Sequence, residues 1–321
     1  MQKPHLNLSL NPWYYCNFRC DFCYLTPKQL SDVTCISADR VAAMIDEIME
    51  HYTIGHVDLY GGEVLLLKEE YLYTILDILY ARGIDDIVIQ TNLSFMPDIV
   101  HDECYEFSVS YDFGARERHE NVLQNMLLMT QPFNVLTLAS RSFLDTVTPD
   151  LYVQTMNMLG QLKGAEIKPY SSNQANQQNV SYKEFEEFVW AVINHPERNF
   201  YFENETQVKE AFEKTRNAYS DDHVYITPTG EYAVLEFDEN DNEFFLTLDS
   251  LDAYRQWCEL EKTRVSSNPI CSACPYNGHC LSEHLRDVKS LDNSCNGFRG
   301  LIDKWGSHEN GIRVGTAPTA T

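Results

Sequence analysis

The chain has 321 residues, with 48 acidic against 24 basic side chains and a formal net charge of −24. With no basic stripe to offset it, this balance argues against a nucleic-acid partner and would attract a positively charged peptide, an amine or a basic redox protein. No apolar run approaches membrane-spanning length and no signal peptide precedes Leu6, which implies a cytoplasmic protein without a membrane partner. The ten cysteines gather at metal-ligand spacings, whereas a disulfide framework would spread them along the chain.

From Leu6 to about Tyr170, short β-type runs alternate with longer amphipathic stretches, the pattern of parallel βα units. The strand candidates are Leu6–Leu10, His56–Tyr60, Asp86–Gln90, Glu106–Tyr111, Val135–Ala139 and Ala165–Lys168. Apolar residues at helical spacing mark Ala38–His51, Glu69–Arg82, His119–Met129 and Pro149–Leu162. The expectation is an α/β fold, a partial (β/α)6 TIM-like barrel over residues 1–180, with ligands gathered at the carboxyl ends of its strands. Asn, Gln and Ser crowd Ser171–Asn179, which reads as a loop, and Tyr182–Ile193 reads as an amphipathic helix in a linker over 181–220. A β-hairpin over Val224–Leu235 opens a small cysteine-rich α+β domain at 221–305, and 306–321 reads as a flexible tail.

Just after the first strand, Cys16, Cys20 and Cys23 stand in the run C-N-F-R-C-D-F-C-Y. Three soft thiolates are one short of the four that usually close a [4Fe–4S] cube, so one iron is left for an exogenous ligand. Zinc would ask for a fourth Cys or His, and none lies close in sequence. Tyr60-Gly61-Gly62-Glu63 ends the second strand; its glycines permit close backbone approach, and a carboxylate or carbonyl there can accept hydrogen bonds from an ammonium. Thr91-Asn92 and Ser108–Asp112 end the third and fourth strands, where such residues either contact a ligand or cap the strand. Lys168 and Tyr170 face the barrel mouth as candidates for substrate chemistry. In the tail, Cys271, Cys274, Cys280 and Cys295 satisfy either a closed iron–sulfur cluster or a structural zinc. Cys35, Cys104 and Cys258 read as free thiols.

The run Cys-x3-Cys-x2-Cys, with Phe22 before its last cysteine, resembles the cluster motif of the radical S-adenosylmethionine (radical SAM) enzymes. The resemblance implies a [4Fe–4S] cluster whose fourth iron is chelated by S-adenosyl-L-methionine (AdoMet), and a 5′-deoxyadenosyl radical that abstracts hydrogen from substrate. Gly61, Gly62 and Glu63 resemble the family's motif for the AdoMet ammonium. Thr91, Asn92 and Ser110 match positions that contact ribose and methionine carboxylate, and Arg116 and Arg118 are both candidates for an arginine near AdoMet. The tail resembles a shortened SPASM or twitch extension, which implies one auxiliary [4Fe–4S] cluster on Cys271, Cys274, Cys280 and Cys295. Leu235 stands where the full SPASM pattern has a cysteine after the hairpin glycine, and none lies between Cys104 and Cys258, so a second auxiliary cluster is expected to be missing. The implied function is oxidative cross-linking or a related change of a ribosomally synthesised peptide, with a flavodoxin- or ferredoxin-type electron donor. The alternatives are a dehydrogenase or epimerase of a small molecule (a sugar, aminocyclitol or amino acid) and a noncatalytic zinc-binding interaction protein.

Overall fold

The computed structural model describes residues 3–170, 180–238, 243–281, 295 and 297–315. In chain order it runs β1 (His5–Leu10), α1 (Ala38–His51), β2 (Thr53–Leu59), α2 (Glu69–Tyr80), β3 (Ile87–Thr91), β4 (Glu106–Ser110), α3 (His119–Leu128), β5 (Phe133–Ala139), α4 (Arg141–Thr146), α5 (Pro149–Asn157) and β6 (Leu162–Pro169). It continues through α6 (Tyr182–Ile193), β7 (Tyr201–Phe202), α7 (Glu203–Glu213), β8 (His223–Ile226), β9 (Tyr232–Asp238), β10 (Glu243–Leu248), α8 (Leu251–Ser267), α9 (Pro269–Ser272) and α10 (Arg299–Gly315).

All ten strands join one sheet in the order β10-β9-β8-β1-β2-β3-β4-β5-β6-β7. From β8 to β7 every pairing is parallel, and β8, β9 and β10 pair antiparallel. This is the expected α/β class, with the six leading strands forming the partial barrel. Within residues 221–305, β8–β10 add to the same sheet, with β8 alongside β1. The loop expected over Ser171–Asn179 lies outside the described residues. The backbone of α10 is helical through Gly315, so a helix occupies the first part of the stretch whose composition suggested a tail.

The strand pleat decides what the barrel buries. In β1, Leu6, Leu8 and Leu10 are at most 1% exposed and join the core with Val41, Met44, Ile45 and Ile48 of α1, each worth about 1.5–3 kcal/mol on full burial. Alternate residues point to the opposite face, so Ser9, Asp58, Gln90, Ser110, Leu136, Lys168 and His223 turn inward to line a cavity. Ser37 caps α1 through Arg40 N at 3.2 Å, and the Arg40 guanidinium forks onto Gly230 O at 2.8 and 3.1 Å. That pair of bonds ties the β8–β9 turn, where Gly230 has φ +77°, to the first helix.

Several boundaries moved for local reasons. The helix expected to reach Arg82 ends at Tyr80, where Gly83 at φ +75° donates to Tyr80 O and Ile84 to Leu79 O, a left-handed cap that closes the helix. The helix expected over Pro149–Leu162 stops at Asn157, since Leu162 already belongs to β6. Among the described residues no helix is long and apolar enough to cross a membrane.

Candidate functional site

The sequence places Cys16, Cys20 and Cys23 on the loop after β1, and the structure puts all three on the wall of a cavity of about 350 Å³ at the carboxyl ends of the parallel strands. Phe22, Gly61, Gly62, Thr91, Asn92, Ser110, Arg116, Lys168 and Tyr170 line the same cavity. Residues up to 289 positions apart in sequence, from Ser9 to Phe298, thus converge. Tyr182 and Phe298 complete the wall from outside the barrel strands.

The two glycines serve the cysteine loop directly. A Cβ on Gly62 would stand 2.2 Å from the carbonyl oxygens of both Tyr14 and Tyr15, and one on Gly61 would stand 2.3 Å from Trp13 O. Gly62 N donates to Trp13 O at 3.2 Å and Glu63 N to Tyr15 O at 2.9 Å, so two backbones lie against each other. The indole Nε1 of Trp13 closes the pairing on Glu63 O at 3.0 Å.

Glu63 is fully buried, and its carboxylate serves the protein itself. It accepts from Asn92 N at 2.6 Å, Thr91 Oγ1 at 2.7 Å and Leu65 N at 3.0 Å. Burial pushes this carboxyl up while those donors pull it down. The carboxylate of Glu63 is thus taken up by the protein's own donors and fixes the end of β3. Asn92 carries the order onward, with Nδ2 bonding Asn17 Oδ1 at 3.0 Å and standing 3.6 Å from Cys16 Sγ.

Burial pushes all three thiols up, Cys23 to about 12. A deprotonated triad therefore needs a positive centre, which bound iron supplies. N–H donors already face the sulfurs, from Phe18 N to Cys16 Sγ at 3.4 Å and from Arg116 Nη1 to Cys20 Sγ at 4.0 Å. Among the described residues no three His, Cys, Asp or Glu side chains converge to chelate a single metal ion. A cuboidal cluster takes one sulfur per iron, and the soft donor set fits it.

The two arginines separate. Arg116 is clamped by Asp112, Nε at 2.7 Å and Nη2 at 2.5 Å, with its guanidinium 5.4 Å over the Phe22 ring. Asp112 in turn accepts from Leu138 N at 2.5 Å. Arg118 turns away and lies over Phe18 at 5.9 Å, outside the cavity lining.

The inner floor was missed in sequence. Asp58 lines the cavity, with Oδ1 bonded to Gln90 Nε2 at 2.9 Å and 3.4 Å from His56 Nε2. His56 Nδ1 also meets Asp86 at 3.0 Å. Asp58, then Asp86, hold the His56 ring up to about 9 against its burial. Ser9 Oγ bonds His223 Nε2 at 2.8 Å. The available signal was polar residues at alternate positions inside otherwise apolar strands.

In the tail, a Cβ on Gly297 would meet Cys280 Sγ at 2.7 Å and Cys295 Sγ at 3.6 Å, and Cys274 and Cys295 both lie near enough to Cys271 to push its thiol up. Asn268 caps α9 by accepting from Ile270 N and Cys271 N. Cys271 and Cys280 lie beside Tyr219. Cys258 sits apart in the core, with Sγ 3.8 Å from Ser220 O, and Cys35 and Cys104 are exposed free thiols.

Compared by sequence, the chain matches no protein-family model and no curated protein. Solved structures do match. Streptococcus suis SuiB bound to the precursor peptide SuiA is 13% identical, with a TM-score of 0.62 over 87% of this chain and 71% of that one. Native anSMEcpe with bound AdoMet and Cp18Cys peptide is 11% identical, with a TM-score of 0.66 over 97% of this chain and 99% of the other. A tagged anSMEcpe with AdoMet reaches 0.67 at 12% identity. This chain shares its fold with these structures, solved with AdoMet or peptide bound. In this chain the cysteine triad occupies the loop that follows the first strand.

Two outcomes check this geometry. Gly62→Ala drives a methyl into two backbone carbonyls, an overpacking cost of about 1–3 kcal/mol, and lowers iron bound per chain after reconstitution; unchanged iron content and stability would contradict the clamp. In Asp58→Asn the His56 pKa, read by NMR, falls from about 9 toward the ordinary value of about 6.5. A raised histidine stabilises fully below the unfolded value and loses that contribution as pH rises through its folded value. The His56 contribution to wild-type stability is therefore lost between about pH 6.5 and 9, and the variant, left with Asp86 alone, shows a shallower slope.

Proposed function

We propose that this chain is a radical SAM enzyme that oxidises a C–H bond of a peptide. The observation that carries the reading is the buried triad Cys16, Cys20 and Cys23 opening into the strand-end cavity. When bound there, a [4Fe–4S] cluster with one open iron supplies the electron that cleaves AdoMet to methionine and a 5′-deoxyadenosyl radical.

The chain's own residues supply the rest. Carbonyls of the Gly61–Glu63 segment accept from the AdoMet ammonium. Ser110, Thr91 and Asn92 provide polar contacts for ribose and carboxylate, while Leu136 and Leu138 give an apolar wall. Arg116, neutralised on one side by Asp112, offsets the negative charge gathered at Cys20. Tyr182, Phe298 and Tyr170 shield the cavity from water, which protects a reactive radical.

Cys271, Cys274, Cys280 and Cys295 would hold a closed auxiliary [4Fe–4S] cluster, and Leu235, a wall residue of the cavity, takes the place of a ligand to a second one. A flavodoxin- or ferredoxin-type donor would supply electrons in the cytoplasm. The peptide reading is supported by SuiB and anSMEcpe, which share the fold and are described with bound peptides. A dehydrogenase or epimerase of a small molecule would use the same radical, and product analysis separates the two.

Anaerobic reconstitution with iron, sulfide, reductant and AdoMet tests the proposal. Wild-type protein yields 5′-deoxyadenosine, and Cys20→Ala yields none above background. Cys274→Ala retains cleavage but forms no oxidised product. Absence of 5′-deoxyadenosine from the iron-loaded wild type sinks the enzyme reading, and equal loss of cleavage in a folded Cys274 variant sinks the auxiliary role.

A further inference from the structure

Behind the cluster cavity lies a second chamber of about 260 Å³, and the two share Lys168, His223, Tyr225 and Leu235 as common wall. Its remaining lining includes Arg216, Asn217, Tyr219 and Asp222. Although the chain as a whole carries a net charge of −24, this chamber is cationic.

Arg216 is the key group. Its Nε is buried and has no hydrogen-bond partner, and among the described residues no carboxylate lies within salt-bridge distance of its guanidinium. Its backbone carbonyl is held by His279 Nδ1 at 2.6 Å, so the residue is anchored while its side chain faces the chamber. Lys168 stands on the shared wall, 4.0 Å from Glu166 Oε1, and that glutamate is also engaged by Gln207 Nε2 at 2.9 Å. His223, bonded to Ser9, adds a ring nitrogen donor in one tautomer or when protonated. Against these stands one lining acid, Asp222, whose carboxylate takes Asn217 Nδ2 at 2.9 Å. Among the described residues this half-buried guanidinium has Asp222 nearby but no ion pair, which is costly to keep, and a planar carboxylate would satisfy it bidentately.

We propose that this second chamber binds a carboxylate of the substrate, with Arg216 as its principal partner and Lys168 as the second cation at the passage to the radical cavity. The inference deepens the peptide reading by naming the group the substrate presents, an acidic side chain or a C-terminal carboxylate. Surface charge and site charge then act oppositely: the acidic exterior sets no preference for a basic peptide at the site itself.

Calorimetric titration of the reconstituted, AdoMet-saturated protein tests this with three capped probes, Ac-Ala-Glu-Ala-NH2, Ac-Ala-Gln-Ala-NH2 and Ac-Ala-Ala-Ala-OH. The expected result is that at least one carboxylate probe binds about tenfold more tightly than the glutamine probe, and the one that does so identifies the carboxylate's source. Arg216→Gln abolishes the preference, Arg216→Lys keeps part of it, and added salt weakens it. Equal affinity for all three probes, no measurable binding of either carboxylate probe, or a preference that survives in Arg216→Gln overturns the proposal. The comparison among probes on wild-type protein stands even if a variant misfolds. Formation of 5′-deoxyadenosine in the same preparation reports separately on the enzyme reading.

Discussion

The backbone of residues 13–15 lies against Gly61 and Gly62 at a distance no side chain would permit. This contact turns a flexible cysteine loop into a defined wall. Glu63 then extends the order to β3 through Asn92, Thr91 and Leu65, and Asn92 returns it to Cys16. One strand end thus fixes both the neighbouring strand end and the sulfur between them. The interaction is costly to lose because Glu63, Thr91 and Asn92 are buried, and a carboxylate stripped of its donors there would be left desolvated.

The sheet performs two separate tasks with the same strands. Odd and even residues of each strand face opposite ways, so Leu6, Leu8 and Leu10 build the core while Ser9, Asp58, Gln90 and His223 furnish the cavity floor. The hairpin of β8 and β9 adds to the edge of β1 and is held there by Arg40 on Gly230. Tyr219, on the wall of the second chamber, lies beside Cys271 and Cys280 of the tail.

Much of this was legible in the sequence where a residue type admits one physical use. Helices α1 and α6 follow their expected bounds because an amphipathic stripe meets a capping serine, Ser37 or Ser181. The placement of the cysteine triad just after β1 was legible in the sequence. Helix α8 was not, since its buried face mixes Leu251, Tyr254, Trp257 and Val265 with Cys258 and Glu261, and Glu261 is buried by bonding to Ser220, a partner 41 residues away. The glycines were read as permitting close backbone approach, and the chain's own loop at residues 13–15 makes such an approach while both glycines also line the cavity. Arg116 and Arg118 could not be ranked because their directions depend on left-handed residues at Phe113 and Arg118, which no pattern of residue types announces. Asp58 and His56 acquire meaning only once the pleat and the neighbouring strand bring Gln90 and Asp86 beside them.

The central claim is that the Cys16, Cys20 and Cys23 site leaves one iron open to AdoMet. Electron paramagnetic resonance of the reduced, reconstituted Cys271→Ala/Cys274→Ala protein, recorded with and without AdoMet, tests it most directly, because the N-terminal cluster then dominates the signal. The account predicts a clear shift of the cluster's g-values when AdoMet is added. An unchanged spectrum from a fully loaded cluster, with AdoMet in excess, would contradict it.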